Sequence, residues 1–138
     1  MTMTSLAAPP STIDTHLELL VWLQWLWAGF NATVGVAMAA FAVAAFLAGA
    51  TGASVPGAEM AAEVTAGAFF AVSLTALAWS AGHAWCAKAL RRREPWGRLG
   101  ALALALFDAL LVPLGTLLAA YTAWLLLQDA GRRRFEQM

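Results

Sequence analysis

Asp108 is the sole charged residue in "ALALALFDALLVPLGTLLAAYTAWLLL", residues 101–127. Acids within apolar helices face a bundle interior or water, where they serve ion and proton traffic. Gly97, Ala101, Ala105 and Asp108 share one helical face, the small-residue face, where Asp108 could hold a cation or relay a proton. Asn31 and Thr33 in the first apolar segment, and Thr116 across the VPLGT turn, are its candidate hydrogen-bonding partners. The competing reading is an acid near the membrane surface that reaches water or caps that turn.

A second group is His16, Glu18, His83 and Cys86. His83 and Cys86 stand at i and i+3 and so share a helix face. Together the four could bind zinc or another transition metal, and the two histidines could ligate haem. No recognised ligand spacing links His16 to His83. The plainer alternative is a titrating interfacial histidine and a buried thiol. We expect no cofactor. A single cysteine also excludes an intrachain disulfide.

The basic residues form the third group. None of the eight precedes Lys88; they fall in "KALRRREPWGR" (88–98) and "RRR" (132–134). Arg91, Arg92, Arg93, Arg98, Arg132, Arg133 and Arg134 could hold anionic lipid or an acidic partner. Orientation of the chain in a membrane already explains them. The chain contains no phosphate loop, nucleophile elbow or paired-carboxylate arrangement. We therefore expect no enzyme and no nucleic-acid partner. "NAT" at 31–33 matches a glycosylation sequon but lies within an apolar run.

The elements that must carry these residues follow from composition. The chain is 62% hydrophobic and 12% charged, against about a quarter charged in soluble domains. Apolar runs of about 18 or more residues read as membrane helices, and no period-2 alternation suggests a barrel. The expected fold is all-α: an integral membrane four-helix bundle. Two long helices span about 15–48 and 57–90, and a short hairpin about 96–112 and 116–130. Residues 1–13 read as a disordered tail that is retained, and 14–138 as one transmembrane domain. Thr15 and Glu18 suggest a capping box at the first helix. Glu59 and Glu63 suit the start of the second, and Lys88 its end. Pro95 is placed to open the third.

Residues 96–129 could instead form one proline-kinked helix. Charge decides against it: two helices put both basic clusters on one side of the membrane, whereas one helix would separate them. The turn is then Pro113 and Gly115, read as positions i+1 and i+3 of a type I turn. Thr116 becomes the N-cap of the fourth helix. Both termini and all eight basic residues are then cytoplasmic. Six of the seven tryptophans, all but Trp79, map towards that side as interfacial anchors. A tryptophan-lined ligand pocket is the alternative.

"PWGR", "PLGT", Tyr121, Trp124 and "RRRFE" together resemble the C-terminal hairpin of an uncharacterised family of small bacterial four-helix membrane proteins. The resemblance covers residues 95–136. It implies a multi-pass protein of the bacterial cytoplasmic (inner) membrane and no catalytic residue.

Small residues mark close helix contacts in membranes. Ala28, Ala32, Gly35, Ala39 and Ala42 form a heptad-like seam; Gly67, Ala71, Ala78 and Ala81 share a face of the second helix, and Thr116, Ala120 and Ala123 one of the fourth. These faces could join copies of the chain or pack within it. The expected function is a non-enzymatic membrane protein that self-associates, or an accessory subunit of a membrane complex. One alternative is a small oligomeric channel or transporter with Asp108 on the ion or proton path. Another is a metal- or haem-binding redox subunit using His16 and His83.

Overall fold

The computed structural model describes residues 12–51 and 57–136, with side chains for all but Ala130, Arg134 and Glu136. Among the described residues every regular element is a helix: α1 (Thr12–Thr51), α2 (Ala58–Arg91), α3 (Pro95–Asp108), α4 (Leu114–Leu127) and α5 (Asp129–Glu136). The helices α1 and α2 are long and apolar enough to cross a membrane, and α4 is a shorter apolar helix. Of the expected tail, residues 1–11 lie outside the described residues, while Thr12 and Ile13 already belong to α1. Thr15 is therefore inside a helix, and the expected capping box does not mark its start.

The chain divides into two compact units. One, here the hairpin unit, comprises the chain up to Leu23 together with Cys86 onward. The other, the two-helix unit, is Gln24–Trp85.

Within the two-helix unit, α1 and α2 approach closely where their residues are small. A Cβ added at Gly35 would sit 2.7 Å from Leu77 Cγ, and one at Gly49 would sit 2.4 Å from Ala62 Cβ. Ala28, Gly35, Ala42 and Gly49 are buried, and Ala32 and Ala39 half-buried. The α1 seam is thus a contact within the chain. The face of α2 carrying Gly67, Ala71, Ala78 and Ala81 is exposed instead.

The hairpin unit is organised by three tight connections. The first ends α2. Arg93 adopts φ 57°, its N–H bonds Leu90 O, and Glu94 N–H bonds Ala89 O. This is a Schellman closure with Arg93 where glycine is usual. Its guanidinium bonds Asp14 at 2.9 Å, which ties the cap to the start of α1. Pro95 then opens α3, as its position predicts.

The second connection joins α3 to α4. α3 ends at Asp108, earlier than expected, and Ala109–Pro113 form successive turns with a cis Val112–Pro113 bond. Pro113, not Thr116, precedes α4. Thr116 lies in the first turn, and its hydroxyl donates to Ala109 O at 3.0 Å. It satisfies a carbonyl left over at the end of α3 rather than an amide at the start of α4.

The third connection divides the expected fourth helix. Gln128 is extended (φ −66°, ψ 144°), and α5 follows as a separate helix. Asp129 sits in its first turn, where a carboxylate favours the positive helix end. Gly131 allows the close return: a Cβ there would lie 2.3 Å from Leu125 O. Gly131 and Phe135 are buried, whereas Arg132 and Arg133 are exposed.

α3 and α4 run antiparallel. Arg98 Nε donates to Leu126 O at one end, and Gly115 lies against Asp108 at the other. Gly97, Ala101, Ala105 and Asp108 are the buried face of α3, the face their spacing predicts. The α4 face is different from the expected one. Gly115, Leu118, Ala119, Thr122, Leu125 and Leu126 are buried, while Thr116 and Ala120 are exposed.

Candidate functional site

Asp108 is fully buried at the end of α3. Its backbone carbonyl accepts from Leu111 N at 2.8 Å, so the residue anchors the turn as well as carrying a carboxyl group. Each of its expected partners donates to a backbone carbonyl. Asn31 Nδ2 donates to Trp27 O, Thr33 Oγ1 to Gly29 O, and Thr116 Oγ1 to Ala109 O. A hydroxyl on a helix satisfies itself most easily on the carbonyl one turn back, and Thr33 does so.

The histidines enter separate arrangements. In the hairpin unit, His16 Nδ1 lies 2.9 Å from the Tyr121 hydroxyl. Its ring meets Trp124 edge-on at 5.6 Å between centroids, and Trp124 stacks on Tyr121 at 5.9 Å. In the two-helix unit, His83 Nδ1 lies 2.5 Å from Gln24 Oε1, with Trp79 tilted against its ring. Cys86 is a buried free thiol against Gly100. Among the described residues, no three His, Cys, Asp or Glu side chains gather where they could hold a metal ion.

The α1–α2 contact also contains Ser73, Ser80 and Gln24, which sequence reading did not single out, alongside His83, which it did. Ser73 Oγ donates to Gly35 O at 2.7 Å, and Ser80 Oγ to Ala28 O at 2.8 Å. Gln24 and His83 complete the series, and both are fully buried. Ser73, Ala76, Ser80 and His83 are spaced 3, 4 and 3, and Gln24 stands one step before Ala28 on the α1 seam. That shared heptad-like spacing was the available signal. Gln24 Nε2 and, in the hairpin unit, Thr122 Oγ1 are buried without a hydrogen-bond partner.

The seven arginines divide by role. Arg93 caps α2 and pairs with Asp14, and Arg98 reaches a terminal carbonyl of α4. These two stabilise the fold. Arg91, Arg92, Arg132 and Arg133 are exposed, with Glu94 3.8 Å from Arg92. The Arg134 side chain lies outside the described residues.

Compared with known protein families, curated proteins and solved structures, the chain matches none.

Proposed function

We propose that this chain is a non-enzymatic integral membrane protein that acts by association, with copies of itself or as an accessory subunit of a membrane complex. One observation carries the reading. The small-residue face of α2 (Gly67, Ala71, Ala78, Ala81) is exposed, and a Cβ at Gly67 would meet nothing within 4 Å. The same kind of surface on α1 is consumed by α2. A second helix can approach the α2 backbone closely along this face, which is how helices associate in lipid.

The topology that goes with this role is a multi-pass protein of the bacterial cytoplasmic membrane with α1 to α4 in the bilayer. Both termini and the basic clusters face the cytoplasm. The resemblance of residues 95–136 to small bacterial membrane proteins supports it. At 14 residues each, α3 and α4 are about 21 Å long, short of a hydrocarbon core of about 30 Å. Their turn therefore sits within the membrane, or the bilayer thins around it.

The test is self-association in lipid, measured by energy transfer between labelled copies across a dilution series. Gly67→Leu together with Ala78→Leu is expected to weaken association about tenfold or more. Pull-down from native membranes under crosslinking covers the accessory-subunit form. A chain that neither self-associates nor crosslinks to any membrane protein is not an association module.

The burial of Asp108 favours a second reading, an oligomeric channel or transporter with this carboxyl on the path. Asp108→Asn is then expected to abolish ion or proton flux in proteoliposomes. Equal flux in variant and parent excludes that role. In the redox alternative, His16 and His83 would have to ligate through Nε2, because their Nδ1 atoms meet Tyr121 and Gln24.

A further inference from the structure

The hairpin unit gathers both basic clusters at one end. Asp14 at the start of α1 bonds Arg93 at the end of α2. Gly97 at the start of α3 lies against Ala89 and Leu90, since a Cβ there would be 2.7 Å from Ala89 Cβ. Arg98 reaches Leu126 at the end of α4, and Gly131 of α5 folds back on Leu125. The last turn of α2 and the start of α5 therefore share this end of the unit.

This end is strongly cationic. Lys88, Arg91, Arg92, Arg132 and Arg133 are exposed. Among the described side chains of the unit, only Glu18 and Asp129 are exposed acids, while Asp14 is engaged by Arg93 and Glu94 is half-buried. Trp22, Trp96 and Trp124 of the same unit are also exposed. Indole rings settle at the headgroup level of a bilayer.

Orientation in a membrane requires positive charge but no particular arrangement of it. A flexible tail would serve. This chain instead interrupts α4 at Gln128, lays Gly131 of α5 against Leu125 and buries Phe135, so that Arg132 and Arg133 are held on a fixed helix face. An ordered cationic surface beside indole rings complements a fixed layer of anionic phosphate.

We propose that this surface binds anionic phospholipid headgroups, with Lys88, Arg91 and Arg92 on one side of the site and Arg132 and Arg133 on the other. The arginines take phosphodiester oxygens through their planar forks. The tryptophans set the depth at which they meet them. Binding is electrostatic and weakens with salt. The inference rests on the proposed membrane location and goes beyond it, because it assigns a lipid class and the residues that select it.

The experiment uses the full chain in nanodiscs of phosphatidylcholine containing a minority of phosphatidylglycerol. The readout is the ratio of the two lipids retained after transfer to detergent, by native mass spectrometry. The parent chain is expected to retain phosphatidylglycerol well above its bulk share. Arg132→Gln with Arg133→Gln should lower that enrichment about 25-fold, roughly fivefold per arginine. Arg91→Gln with Arg92→Gln should do the same. Both pairs are exposed, and an unchanged helical circular dichroism spectrum shows that the variants fold. Competition by inorganic phosphate at equal concentration should leave the enrichment intact; displacement by it would show a simple anion site and overturn the assignment. Parent enrichment equal to the bulk share, or variants within twofold of the parent, would also overturn it. A chain that does not enter the discs defeats the membrane location itself, a result distinct from retention of both lipids at their bulk shares.

Discussion

Gly115→Ala is expected to destabilise the chain by about 2–3 kcal/mol, because one added methyl group has no room. Its Cβ would lie 2.4 Å from Asp108 O and 2.7 Å from Leu111 Cβ. The carbonyl cannot swing aside as a side chain could, since Leu111 N bonds the same oxygen at 2.8 Å. Relief must come from separating the start of α4 from the end of α3, and that loosens the packing that buries Asp108. Gly29→Ala provides the contrast. Gly29 is also within a helix, but a Cβ there meets nothing within 4 Å. Alanine there should stabilise by about 0.5–1 kcal/mol through its helix propensity. Reversible unfolding in mixed detergent micelles measures both. Equal effects of the same sign at the two glycines would show that the α3–α4 turn is not closely packed.

The contrast between these glycines also shows where the sequence was informative. Charge placement separated the two-helix reading of residues 96–129 from the kinked-helix one, because charge imposes a global constraint that one sequence reveals. The buried face of α3 followed from the spacing of Gly97, Ala101, Ala105 and Asp108 for a similar reason: periodicity is local. The face of α4 did not. Its sequence is apolar all round, so Thr116, Ala120 and Ala123 looked as good as Gly115, Ala119 and Thr122. Only the partner helix decides between such faces. The separate α5 was equally hidden. Its break at Gln128 carries no proline, and the requirement for Gly131 appears only when the Leu125 carbonyl lies against it. The arginine cluster "RRREP" read as undifferentiated charge. That Arg93 holds a positive φ while Arg91 and Arg92 face outward depends on hydrogen bonds to Ala89 and Leu90.

The Gln24–His83 pair was the largest omission, and it leads to the second strong effect. In the two-helix unit the surrounding α1–α2 contact is made of small and apolar residues. A polar side chain left there without its partner costs about 1–3 kcal/mol. Replacing both partners by apolar groups of similar size removes that penalty. Gln24→Leu and His83→Leu are therefore each expected to destabilise by about 1–2 kcal/mol. The double variant should lie closer to the parent than the sum of the two, with a coupling of about 1 kcal/mol or more. Interhelical hydrogen bonds in membranes average only about 0.6 kcal/mol, because the unfolded helices find other partners. A larger coupling here is argued from complete burial of both side chains. The apolar double variant should also be less specific. Ser73 and Ser80 bond backbone carbonyls, which recur at every residue, whereas Gln24 and His83 can meet in only one register of α1 against α2. A disulfide designed across α1 and α2 near Gly49 and Ala62 should thus form more slowly in the double variant than in the parent. Additive single effects would reduce the pair to two independently tolerated polar groups, and an unchanged crosslinking rate would remove its role in setting the register.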